Sequence, residues 1–171
     1  MSPIRDDSGH GMKRPTETDP PAEWQERLDT HLRIAMETLV AFAAEGEGFQ
    51  PVAVFVKPDG EEELALLVFA PEAKERAIAG VTRQARESGC RGFILVMDTW
   101  TAPPVAGREP RAGDAATHPE RAECLVLMLF TPNGAWGRSV RYRREGKQVA
   151  FQPPDPWFLP TSPWNPWAHV Q

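Results

Sequence analysis

The chain has 171 residues, 41% of them hydrophobic and 25% charged, with a formal net charge of −5. That length supports one domain with a sizeable core and excludes two ordinary ones, and the composition excludes a disordered chain. An acidic balance with no broad basic field argues against nucleic acid or an anionic membrane surface as a partner. No apolar run approaches the ~20 residues that span a bilayer, so no membrane partner is expected. Cys90 and Cys124 match neither a zinc spacing nor a CxxC pair. The start, MSPIRDDSGHGMKRPTETDPP, lacks the apolar segment of a secretory signal. The expected compartment is therefore a reducing cytoplasm with both thiols free.

Residues 1–19 are too polar to order themselves and are expected to form a disordered arm. Residues 20–152 are expected to form one domain, and 153–171 a Pro/Trp-rich tail. The domain opens with a helix. Asp19 is placed to cap it, Pro20 and Pro21 suit its first turn, and Glu23 meets the positive end of the dipole. Trp24, Leu28, Leu32, Ala35, Leu39 and Ala43 recur at steps of three and four, a stripe that has to be buried, and Gly46 and Gly48 end it. His31 sits beside that stripe as a boundary residue.

PVAVFVKPDGEEELALLVFA is a hairpin turning at Pro58-Asp59-Gly60, where Pro presets φ and Gly accepts a positive one. A second helix follows from Pro71 to a stop at Gly89. Its narrow apolar face (Ala77, Ile78, Val81, Ala85) is suited to lying flat on a sheet. CRGFILVMDTW reads as a central strand covered on both faces. An insert over 101–119, rich in Pro, Gly and Ala, is expected to be flexible. Beyond it lies a second hairpin, turning at Pro132-Asn133-Gly134. Its second strand alternates, with Trp136, Val140 and Tyr142 on one face and Ser139, Arg141 and Arg143 on the other. Glu145-Gly146-Lys147 turns the chain into a short last strand, QVAFQ.

This order predicts an α+β fold: a mostly antiparallel sheet built from a hairpin, a helical crossover and three or four further strands. Two helices pack on it, gathered on one face. The element order is similar to that of profilin-like and roadblock-type small domains, a likeness of topology that carries no function.

MDTWTAPP, followed after the insert by HPERAECLVL, resembles an uncharacterised family of small bacterial and phage α+β proteins. The resemblance lies in Asp98, Thr99 and Trp100 at a strand end, and in His118, Pro119, Glu120, Arg121 and Glu123 leading into the next strand. It implies a fold and a phage or prophage setting, and it implies no reaction, substrate or cofactor.

Three groups of residues are candidates for function. Asp98, His118 and Cys124 hold the residue types of an orienter, a base and a nucleophile, and His118, Glu120 and Cys124 those of a metal cluster. A small hydrolase or metal-dependent enzyme is the corresponding alternative. Structural roles compete at each position: Cys124 as a small core residue, Asp98 as a turn or cap. No HExxH, GxSxG, Walker or Rossmann pattern occurs, so no cofactor or metal is expected. Arg138, Arg141, Arg143 and Arg144, with Lys147 and joined by Arg108, Arg111 or Arg121 from the insert, form an anion- or nucleic-acid-binding candidate. A solvated face of paired gatekeeper charges is the preferred reading of them. The tail, FQPPDPWFLPTSPWNPWAHVQ, sets Trp157, Phe158, Leu159, Trp164 and Trp167 among six prolines. Indoles are costly to leave wet, so this tail either seals its own sheet or docks on another subunit or protein. The preferred function is a non-enzymatic interaction or assembly module that makes its contacts through this tail and the 101–119 loop, with a protein partner or self-association.

Overall fold

The computed structural model describes residues 18–103, 106–109, 114–160 and 165–167. The arm up to residue 17, Arg111 and Trp164 lie outside the described residues. Helix α1 (Ala22–Ala44) leads into the hairpin β1 (Val52–Val56) and β2 (Glu62–Leu66). A 3-10 turn (Pro71–Ala73) and helix α2 (Lys74–Glu87) follow. Strand β3 (Gly92–Thr101), the helical turn α3 (Asp114–Thr117), β4 (Ala122–Thr131), β5 (Gly134–Glu145) and β6 (Gln148–Phe151) complete the order. The strands form one antiparallel sheet in the order β2-β1-β3-β4-β5-β6. The α+β class and the crossover from the first hairpin to the central strand are as the sequence predicts.

The helices do not gather on one face; they cover opposite faces. Trp24, Leu28, Leu32, Ala35 and Leu39 of α1 pack with Val54, Val56, Ile94, Val96, Leu125, Leu127, Leu129, Val140 and Tyr142. Ile78 and Ala85 of α2 pack with Ala53, Phe55, Phe93, Leu95, Met97, Met128 and Phe130. Neighbouring strand residues point to opposite faces, so the two sets alternate along each strand. Phe55, Phe93 and Phe130 form a row of rings on the α2 side, with centroids 5.6 and 6.2 Å apart. The continuous apolar run Phe93–Met97 is buried because both faces are covered.

The start of α1 also differs from expectation. Ala22 is the first helical residue and Pro21 occupies the N-cap, with no side-chain cap bond. Proline there leaves no amide to satisfy, and Trp24 N–H donates to the Pro21 carbonyl at 2.9 Å. Trp24 then lies across Gly92, where an added Cβ would come within 2.3 Å of its ring.

The first hairpin closes as its sequence demands. Gly60 N–H donates to the Lys57 carbonyl and Lys57 N–H to the Glu61 carbonyl. Gly60 has φ +89°, the left-handed residue that completes a three-residue loop. Asp59 Oδ1 accepts the Glu61 N–H at 2.9 Å.

Candidate functional site

The two halves of the Asp98–Trp100 and His118–Glu123 pattern meet. β3 and β4 pair so that Trp100 lies opposite Glu123 and Asp98 opposite Leu125. The Arg121 guanidinium stacks over the Trp100 ring at 4.9 Å. Asp98 shares its face with Val96 and Leu125, beside Tyr142 of β5. The Tyr142 hydroxyl donates to Asp98 Oδ1 at 2.7 Å. Arg144 lies between two carboxylates, 3.4 Å from Glu123 Oε1 and 3.7 Å from Asp98 Oδ2. Burial holds the Asp98 carboxyl above the usual carboxylate range, opposed by the Tyr142 hydrogen bond and the Arg144 charge. Burial, then the Asp98 carboxylate, raises the Tyr142 phenol above its ordinary value.

Cys124 does not join this cluster. It pairs with Thr99, one position out of step with Asp98, so its side chain leaves the opposite face of the sheet. Burial, with the nearby Asp98 and Asp155 charges, pushes its thiol up to about 12. At neutral pH the group is a protonated thiol, a poor nucleophile. His118 is held in a local turn after α3: its Nδ1 accepts the Glu120 N–H at 3.0 Å, which engages the ring's acceptor nitrogen. The sheet therefore places Asp98 and Cys124 on opposite faces, while the bond of His118 lies within its own turn. Among the described residues no three His, Cys, Asp or Glu side chains come together to hold a metal ion.

The hairpin arginines are divided between the two faces. Arg138 and Arg144 lie on the α1 side, Arg141 and Arg143 on the other. Arg138 lies over the Trp157 ring at 5.0 Å and 3.7 Å from Asp29; its Nε donates to the Asp155 carbonyl. Arg141 reaches Asp155 at 3.1 Å. Three of the four are thus committed to carboxylates of their own chain. From the insert, Arg108 makes a two-point pair with Asp114, at 2.7 and 2.9 Å.

The tail lies along its own sheet. Gln152 N–H donates to the Arg141 carbonyl, Asp155 N–H to that of Ser139, and Phe158 and Gly137 exchange both bonds. The tail therefore extends the pairing of β6 along the outer edge of β5. Pro153, Pro154 and Pro156 fall between these donors, where no N–H is needed, and they leave the new edge unable to pair further. Trp157 packs on the α1-side core and Trp167 on the α2-side core. The Phe158 ring lies over Gly137, where a Cβ would come within 2.4 Å of it. Phe158 and Leu159 keep exposed surface.

The other end of the sheet is different. β2 pairs with β1 and, among the described residues, with nothing on its outer side. The bonds Lys57 N–H to Glu61 and Leu67 N–H to Pro51 fix which residues face β1. Bonded pairs alternate along an antiparallel ladder, so Glu62, Leu64 and Leu66 aim their backbone groups outward. The side chains of Leu64, Leu66 and Val68 are 59%, 57% and 78% exposed. Leu64 and Leu66 stand opposite Val54 and Val52, on the α1 side. On the same face Glu62 is held by Arg27 and by His31 Nε2, the latter at 2.9 Å. Those two partners keep the Glu62 carboxyl below its ordinary value against the opposing effect of its burial, the largest single influence on it. Ile34, also exposed, lines the same cleft as Glu62.

Sequence reasoning reads the β2 segment as a hairpin strand and misses this surface. The signal was present: LALLVF is apolar at every position, so a strand carrying it is apolar on both faces. No protein-family model, curated protein or solved structure matches the chain.

Proposed function

We propose that the chain is a non-enzymatic protein-interaction or assembly module whose main contact surface is the β2 edge and the α1 flank beside it. The observation that carries this reading is the exposure of Leu64 and Leu66 on an edge strand whose backbone groups also face outward, with exposed Val68 just past its end. Burying one such side chain contributes about 1.5–3 kcal/mol, and an unpaired strand edge is a ready template for another chain. The exposed rings and chains of Phe158 and Leu159 are a second, smaller contact; Trp157 and Trp167 serve their own domain first. A phage or prophage setting is part of the proposal and rests on Asp98–Trp100 and His118–Glu123 alone.

The test replaces Leu64 and Leu66 together by lysine. Both side chains are outside the core, so the thermal melt should stay close to that of the parent. Association, with itself or with a retained partner, should weaken at least tenfold, about 1.4 kcal/mol or more. Association of undiminished strength in this variant would refute the reading.

A further inference from the structure

We propose that the partner at this edge is a second copy of the chain. The edge segment Glu62–Ala70, which is β2 and the four residues after it, pairs antiparallel with its copy about a two-fold axis at Leu66, joining two sheets into one. This rests on the reading of the edge as an interaction surface.

The two edges of the sheet are treated in opposite ways. Beyond β5 the edge strand β6 has only four residues, and the tail that continues it along β5 carries Pro153, Pro154 and Pro156, which have no N–H to offer a further strand. At β2 there is no proline within the strand, and its residues are apolar on both faces: Leu64 and Leu66 on one, Ala65 and Leu67 on the other. That pattern suits a strand with a neighbour on each side.

Charge selects the neighbour. Glu61, Glu62 and Glu63 crowd one end of the strand and leave the other end uncharged through Ala70. An in-register parallel copy would set glutamate against glutamate, which is destabilising. Turned antiparallel with Leu66 opposite Leu66, the second copy places its Val68 opposite Leu64, its Ala70 opposite Glu62 and its Phe69 opposite Glu63. Leu64, Leu66 and Val68 then meet apolar residues, and no glutamate faces another. The register also matches the backbone, because the outward-facing residues pair with outward-facing residues. Each Glu62 keeps Arg27 and His31 of its own copy. Self-complementarity about a two-fold axis is what an isologous contact requires.

A strand-edge contact falls at the small end of specific interfaces, so the dimer should form in the micromolar range. Each copy carries a net charge of −5. Salt should therefore tighten the dimer by screening, whereas it would loosen a contact with a basic partner.

The experiment uses the full chain. Sedimentation equilibrium from about 1 to 300 μM should show monomer passing to dimer, with a lower Kd at higher salt. Leu66→Cys should oxidise to a covalent dimer, because residues opposite each other in a bonded pair stand about 5.5 Å apart at Cα, within disulfide reach. Leu64→Cys mixed with Val68→Cys should cross-link, and either alone should not. The native Cys90 and Cys124 are buried and will not compete. A monomer at every concentration overturns the proposal, as does a dimer that survives Leu66→Lys. If the chain stays monomeric but the double lysine variant loses a foreign partner, the second copy is refuted and the interaction module stands. If neither association exists, both fall.

Discussion

A carboxyl at the end of a buried strand needs a partner, and Asp98 finds one in the phenol of Tyr142, 44 residues further along the chain. Burial favours the protonated acid, while the phenol and Arg144 favour the carboxylate. Burial prevails, so ionised Asp98 is less comfortable in the fold than in the unfolded chain. Its contribution to stability is present below the unfolded value near 3.9 and is lost as pH rises through the higher folded value. Tyr142→Phe removes a donor to the ionised form and raises the folded value further. We expect a cost of about 1–3 kcal/mol at pH 7, shrinking as the pH is lowered toward 4. Urea melts at the two pH values measure it, and an equal cost at both would show that the hydrogen bond does not depend on Asp98 being charged. The sequence singles out Asp98 as an acid on a buried strand and puts Tyr142 on the correct face of its strand. It does not reveal their contact, because that depends on β4 standing between them in register. The same register separates Asp98 from Cys124, a one-residue difference that moves a side chain through the sheet.

Among the elements, local rules carry far. The α1 stripe, the Pro58-Asp59-Gly60 turn, the small-residue face of α2 and the alternation of β5 all come from periodicity and turn chemistry, and the structure has each of them. Which face each helix covers is a tertiary matter and is not legible. α1 precedes the hairpin and α2 crosses from β2 to β3, and no sequence period says on which side. The tail is legible by half: its aromatic residues demand cover, yet its prolines read as an extended arm rather than as an edge strand. The alternation of proline with bonded residues, at 152, 155 and 158, is the signal that would have shown it. Gly137 carries the close approach. Gly137→Ala should force the Phe158 ring aside at a cost of about 1–3 kcal/mol. The melting temperature should fall by about 2–10 °C, with faster amide exchange confined to residues 152–158. Unchanged exchange there would mean that the Phe158 contact does not hold the tail.

For the molecule as a whole, the two ends of the sheet set the function proposed. One end is the four-residue strand β6, continued along β5 by the proline-bearing tail, with Trp157 and Trp167 drawn onto the two cores. The other presents Leu64 and Leu66, whose backbone groups face outward from the sheet, with exposed Val68 just past them. No helix of the described residues is long and apolar enough to cross a membrane. What composition does not reveal is that an apolar run ends up at an edge. Amide hydrogen exchange of Leu64 and Leu66 tests this account most directly, on the full chain in dilute solution and again under associating conditions. We predict that both amides exchange rapidly when dilute and slow by at least about tenfold on association. Equal exchange in the two states, with protection appearing in the tail instead, would contradict it.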